Sequence, residues 1–168
     1  MINTFFAGDS HCYHKKIMEF EPDFRPFSSV EEHNEILIEN HNGIVKPNDI
    51  VWHLGDVIFG CVENIEIISR FNGKKKLVLG NHDKSKVDDL RKYMDYFTHI
   101  YGVASYKGFV LTHIPVHPSQ FCRYKGNIHG HVHSNTLDDP RYINVSMEAI
   151  NLTPIPYDEI LNRWAANN

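Results

Sequence analysis

The chain has 168 residues, 42% of them hydrophobic and 23% charged, with a formal net charge of −4. This length suits one domain, residues 1–168, around one core. The mild negative charge argues against a broad nucleic-acid surface, and no apolar run approaches the roughly 20 residues of a membrane helix, so neither a stable nucleic-acid partner nor a membrane is expected.

In chain order, short apolar runs alternate with helical stretches, the pattern of an α/β layered domain. "MINTFFAGDS" has no basic leader and its apolar run is broken at Asp9, so it reads as a first strand rather than a signal peptide. "SSVEEHNEILIENHNG" reads as a helix: Ser29 and Glu32 match a capping box, Val30, Leu37, Ile38 and His41 fall near one face, and Gly43 suits the C-terminus. After the turn "KPND" comes the buried-strand run "IVWHLG", ending at Asp56. "VENIEIISRFNG" reads as a second helix and "KKLVLG" as a third strand, ending at Asn81. A helix is expected over about 86–94, two strands in "IYGVASYKGFVLTH" ending at His113, further strands in "NIHGHVH" and "RYINVSM", and a C-terminal helix in "YDEILNRWAANN".

Three cysteines, Cys12, Cys61 and Cys122, are widely spaced without a C-x-x-C pair, which fits reduced thiols and a cytoplasmic setting. Lys74, Lys75, Lys76, Lys84 and Lys86 form a local basic cluster, read as a solvated face. Histidine stands out, with 12 in the chain, three of them (His129, His131, His133) alternating in "IHGHVHSN". On a strand, alternation would turn all three to one side, where neutral imidazoles could hold a metal; in a polar loop they would be surface residues.

The rest of the chain favours the metal. Asp9, Asp56, Asn81 and His113 each follow an apolar strand run, and in α/β sheets ligand sites lie beyond the carboxyl ends of strands. The blocks "GDSH" (Asp9, His11), "GD" (Asp56), "GNHD" (Asn81, His82, Asp83), "TH" (His113) and "GHVH" (His131, His133) mix oxygen and nitrogen donors. Such a set suits Mn, Fe, Ni or Zn, and it is too large for one tetrahedral ion. Gly8, Gly55, Gly80 and Gly130 flank these positions, where tight turns are needed.

This ordered set resembles the calcineurin-like metallophosphoesterases, whose pattern runs D-x-H, G-D, G-N-H-[DE], a single His and G-H-x-H. "GDSHCYHKKI", "RPF" and "HLGD" are similar to small bacterial and phage-type members. The resemblance implies two packed mixed β-sheets flanked by helices and a dinuclear centre, with Mn²⁺ as the first choice. It places Asp9, His11 and His133 on one divalent ion, Asn81, His113 and His131 on a second, and Asp56 on both. It further implies attack on a small phosphate ester, such as a nucleotide, by a hydroxide between the ions, with His82 as proton donor to the leaving group. Asp83 is expected to orient His82 or a metal-binding histidine, or to cap the helix that follows. His129 falls outside the pattern and is read as structural; His14 is by default a polar surface residue, His53 a hydrogen-bonded core histidine, and His117 a residue lining the pocket.

One departure bears on substrate. The protein Ser/Thr phosphatases of the superfamily extend the second block to G-D-x-x-D-R-G, whereas "GDVIFG" has Phe59 and Gly60 in place of the Asp-Arg pair. A phosphodiesterase is therefore expected, with a small phosphomonoesterase as the alternative. A non-catalytic scaffold is disfavoured because every motif position is filled, a nuclease by the lack of room and basic charge, and a mononuclear zinc protein because it leaves Asp56, Asn81 and His82 unexplained.

Overall fold

The computed structural model describes residues 1–83 and 87–166. Strands β1 (Thr4–Ala7), β2 (Ile50–His53), β3 (Lys74–Val78) and β4 (His99–Tyr101) pair in parallel. A second sheet has the order β5 (Ala104–Tyr106), β6 (Phe109–Leu111), β7 (Gly126–His129), β8 (Tyr142–Asn144) and is parallel except between β5 and β6. Strand β9 (Ile155–Pro156) adds antiparallel to β1. The helices are α1 (Ile17–Phe20), α2 (Val30–Ile44), α3 (Val87–Met94) and α4 (Tyr157–Ala166). Two mixed sheets with helices are thus the architecture expected, and no described helix is long and apolar enough to cross a membrane.

The two sheets are stitched where β1 ends. Gly8 N donates to Val145 O at 2.7 Å, and Met147 N donates to Gly8 O at 3.1 Å. The carboxyl ends of β1 and β2 thereby open beside those of β6 and β7. Between the sheets, Phe6, Leu54, Leu77, Phe109, Leu111 and Ile128 form one buried cluster. Burying each of these side chains contributes about 1.5–3 kcal/mol, so the seam that carries the strand ends is anchored in the core.

Several local expectations are corrected. "VENIEIISRFNG" contains a 3-10 helix, Val62–Arg70, rather than an α-helix. "IYGVASY" is two strands: β4 ends the first sheet's run, and β5 begins the second after Gly102 and Val103. The turn that follows, Lys107-Gly108, has φ of 46° and 92°, as a tight hairpin requires. Only half of the capping box forms. Ser29 Oγ accepts from Glu32 N, while the Glu32 carboxylate turns to Ser28 N and Oγ. Nor does Gly43 end α2, which runs one residue further to Ile44. Lys84 and Lys86 lie outside the described residues; Lys74–Lys76 sit on β3, with Lys76 over the Trp52 ring.

His53 is in the core, as expected, but it is not hydrogen-bonded: neither ring nitrogen has a partner among the described residues. Its ring stacks on that of His41, with centroids 6.0 Å apart. His41 is itself buried on the inner face of α2 and donates from Nε2 to Asn72 O at 2.9 Å. Burial lowers its pKa to about 4 despite that hydrogen bond. The unfolded chain therefore takes up a proton first as pH falls. The contribution of His41 to stability is fully present above about pH 6.5 and is lost between there and about pH 4. Denaturant unfolding should give a lower free energy at pH 5 than at pH 7, with a shallower pH dependence in His41→Gln. An unchanged slope in that variant would show that other histidines carry the effect.

Candidate metal centre

All seven predicted ligands stand just beyond strand ends: Asp9 after β1, Asp56 after β2, Asn81 after β3, His113 after β6, and His131 and His133 after β7, with His11 two residues beyond Asp9. The last pair corrects an expectation. "NIHGHVH" is not one strand, because β7 stops at His129 and the chain turns at Gly130. His129 stays in the core, where its Nδ1 donates to Gly130 O, while His131 and His133 project from the turn.

The turns are strained in a shared way. Asp9, His11, Asp56, His131 and His133 have positive φ, from 47° to 72°, as does Tyr13. Each costs on the order of 1–3 kcal/mol for a residue with a side chain, and such strain concentrates at functional sites. Two glycines allow the approach that results. A Cβ on Gly130 would collide with Asp9 Oδ2, and one on Gly80 with Asp56 Oδ1. The carboxylates thus lie against bare main chain and take its amides: His131 N donates to Asp9 Oδ2, and His82 N to Asp56 Oδ1, each at 2.8 Å.

The free oxygens face the histidines. Asp56 Oδ2 is 3.6 Å from His11 Nε2 and 3.3 Å from His113 Nε2, so it stands between the two halves of the cluster. On one side, donor atoms of Asp9, His11 and His133 lie within 4.8 Å of one another. On the other, those of Asp9, Asp56 and His113 do so, and His113 Nε2 is also 2.9 Å from Asn81 Oδ1 and 3.2 Å from His131 Nδ1. His113 Nδ1 donates to Leu54 O, which turns Nε2 toward the cluster.

This arrangement fits cations. Asp9 Oδ1 and His11 Nε2 are buried with no hydrogen-bond partner among the described residues, an expensive state unless a ligand occupies both. Burial raises the pKa of Asp9 and lowers that of His11 to about 2, so His11 is a neutral donor. At His113 burial also disfavours the charge, but the Asp56 hydrogen bond and the charges of Asp9 and Asp56 overcome it and raise the pKa to about 9. The pair of carboxylates therefore draws positive charge to this corner. Cys12 is not a competing ligand: burial pushes its thiol up to about 12.

His82 is on the rim. It is 45% exposed, and its Nε2 lies 4.0 Å from Asp56 Oδ2. The expectation that Asp83 orients a histidine is corrected. Its carboxylate accepts from the amides of Gly80, Asp56 and Val57, so it braces the Asp56 turn against the turn after β3. His14 is buried rather than on the surface, with its Nδ1 3.2 Å from His11 Nδ1 and its ring stacked on Phe59. His117 is exposed and accepts from Ser119 N at the start of a short 3-10 helix.

Two residues of the site were not anticipated. Arg25 is fully buried and donates to Asp9 O at 2.6 Å, Ser10 O at 3.1 Å and Glu148 Oε1 at 2.7 Å. Glu148 Oε1 in turn accepts from His133 Nδ1 at 3.2 Å. One guanidinium thereby holds the main chain of Asp9 and, through Glu148, the ring of His133. Burial would raise the pKa of Glu148, but His133 and Arg25 hold it down to about 2. Glu21, His133 and Glu148 also group closely, yet Arg25 already neutralises Glu148 there. "RPF" was the only sequence signal for Arg25, and "VSMEAI" carries none for Glu148.

Glu148→Gln should keep the shape while removing the charge that aims His133. Metal affinity, measured by calorimetric titration, is expected to fall about 10–100-fold, the usual effect of losing a carboxylate behind a metal-binding histidine. Wild-type affinity in this variant would rule out the Arg25–Glu148 pair as a support of the centre.

The family model described as calcineurin-like phosphoesterase matches residues 2–167. An uncharacterized protein of Methanocaldococcus jannaschii is 35% identical over 96% of this chain and 90% of its own. The Gene 66 protein of Mycobacterium phage D29 is 26% identical over 95% of this chain and 94% of its own. Among solved structures, a protein of unknown function from Aquifex aeolicus superposes with a TM-score of 0.77 at 29% identity, covering 96% of this chain and 99% of that one. The chain thus belongs to the calcineurin-like phosphoesterases and is a metal-dependent phosphoesterase.

Proposed function

We propose that this protein is a phosphodiesterase with two divalent cations, working as one domain in the cytoplasm. Asp9, His11 and His133 would hold one cation, Asn81, His113 and His131 the other, and Asp56 both; the mixed oxygen and nitrogen donors suit Mn²⁺ first, with Fe, Ni or Zn compatible. When bound, the cations would offset phosphoryl charge and make water acidic enough to serve as nucleophile near neutral pH. The residues of the chain do the rest. Asp83 and Arg25 keep the carboxylate turns in place, and Leu54 O fixes the His113 tautomer. His82 Nε2, on the open rim, hands a proton to the leaving oxygen as its bond to phosphorus breaks.

The observation that carries the diester reading is where the positive side chains are. A monoester dianion is usually gripped by an additional arginine or lysine. Arg25, the arginine seen at this centre among the described residues, is buried with Nε, Nη1 and Nη2 all engaged by protein groups. At the position of the missing Asp-Arg pair stand Phe59 and Gly60. His82 and Asn81 are exposed, so the cleft has room for a second substituent on phosphorus.

With Mn²⁺ at one pH, kcat/KM for bis-p-nitrophenyl phosphate should exceed that for p-nitrophenyl phosphate; a monoester rate ten times the diester rate would transfer the assignment to a phosphomonoesterase. Metal analysis should find two ions per chain, and saturation at one would refute the dinuclear reading. His82→Ala is expected to retain both ions while kcat drops about 10²–10⁴-fold, with a smaller loss for leaving groups of low pKa. Loss of metal together with activity would make His82 a ligand instead.

A further inference from the structure

A branched cluster of rings adjoins the metal centre: from His14, one arm passes through Phe59 to His82 and another reaches Phe20. The His11 and His14 rings have centroids 5.1 Å apart, and His14 is stacked on Phe59 at 3.8 Å with an interplanar angle of 11°. Phe59 is 5.5 Å from His82, tilted by 56°, and Phe20 stands edge-on to His14 at 6.1 Å. Both arms grow more exposed away from His14: His14 is buried, Phe59 is half-buried, and Phe20 is 64% exposed at the end of α1. The position of Phe59 is fixed by main chain, since its N donates to Cys12 O at 2.8 Å and Ile58 bridges Cys12. His14 backs it with a flat face. Phe59, half-buried beside His82, leaves uncharged ring surface open at a site otherwise lined by polar groups, as does exposed Phe20 beside His14, and an occupant with a flat ring can pack there.

Its place relative to His82 says what that occupant is. Resting on the diester reading above, hydrolysis breaks the bond from phosphorus to the leaving oxygen. Water supplies the new oxygen, and the leaving oxygen takes the proton of His82 Nε2. The leaving group must then lie against His82, where Phe59 is the neighbouring ring; Phe20 joins the same group of rings through His14. Neither phenylalanine carries charge or a hydrogen-bonding group. We propose that Phe59 and Phe20 form a stacking subsite for the leaving group, and that the substrates are diesters whose leaving alcohol bears a flat ring, an aryl or nucleoside group, rather than a small alkyl or charged one. Rings of every base present a π-face, so the subsite selects flatness rather than a particular base.

The test uses the Mn²⁺-loaded protein and two matched pairs of ligands: phenyl and ethyl methylphosphonate as diester analogues, and phenyl and ethyl phosphate as monoesters, all measured by calorimetric binding. Phenyl methylphosphonate should bind about ten-fold more tightly than its ethyl counterpart, the scale of one aromatic stacking contact. Phe59→Leu and Phe20→Ala should each bring that ratio down to within about three-fold. Equal affinities in the wild type, or a ratio unchanged in both variants, would overturn the subsite. A variant that loses phenyl and ethyl binding in equal proportion would likewise count against it, because a packing role for Phe59 predicts that result. If the diester analogues fail to bind while phenyl phosphate still outbinds ethyl phosphate, the diester reading fails and the stacking subsite stands.

Discussion

Two carboxylates buried side by side set the terms for the rest of this structure. Asp9 and Asp56 are almost fully enclosed at the seam between the sheets, where burial disfavours charge. Main-chain amides satisfy one oxygen of each, and histidine rings face the others. An apolar core could not tolerate this pair; a pocket that collects cations can. The left-handed turns, the bare glycines and the histidine-rich loops are the geometry needed to bring main chain and imidazoles within reach of both carboxylates at once.

That geometry is strained, so something must hold it. The holding is divided between the two sheets' loops. Asp83 clamps the Asp56 turn from the third strand's loop, using three amides. Arg25, reaching from the segment before α2, clamps the Asp9 turn and connects it through Glu148 to the last histidine of the second sheet. The guanidinium is fully charged, and its planar fork reaches two main-chain carbonyls and a carboxylate from three separate nitrogens, a spread that the single nitrogen of a lysine does not match. Both devices tie buried polar groups to main-chain partners, which gives the turns rigidity.

The open face of the centre is different in kind. Among the described residues this face shows the rings of His82 and Phe59, and His82 sits half in solvent. On the function proposed above, such a site would leave the handling of phosphoryl charge to bound cations and substrate choice to shape and stacking.

How much of this was legible in the sequence depends on the range of the interaction. The strands after which Asp9, Asp56, Asn81 and His113 fall, the layered α/β class, and the donor set were readable because strand runs and the motif blocks are local patterns. That the site is built for metal followed from the types of residue in those blocks. The failures were non-local. "NIHGHVH" alternates like a strand, but Gly130 has to meet Asp9, a contact between opposite sheets that periodicity does not record, and the chain turns there. Asp83 looks like a partner for its neighbour His82, yet the amides of the Asp56 turn, 26 to 27 residues away in sequence, claim it. His14 looks like a surface residue until Phe59 is folded onto it. Arg25 and Glu148 are separated by 123 residues, and only the packing of the two sheets makes them one ion pair. Local patterning determined which groups this protein brings to its chemistry; the seam between the sheets decided how they are aimed, because buried charges take whichever partners tertiary packing places within hydrogen-bonding distance.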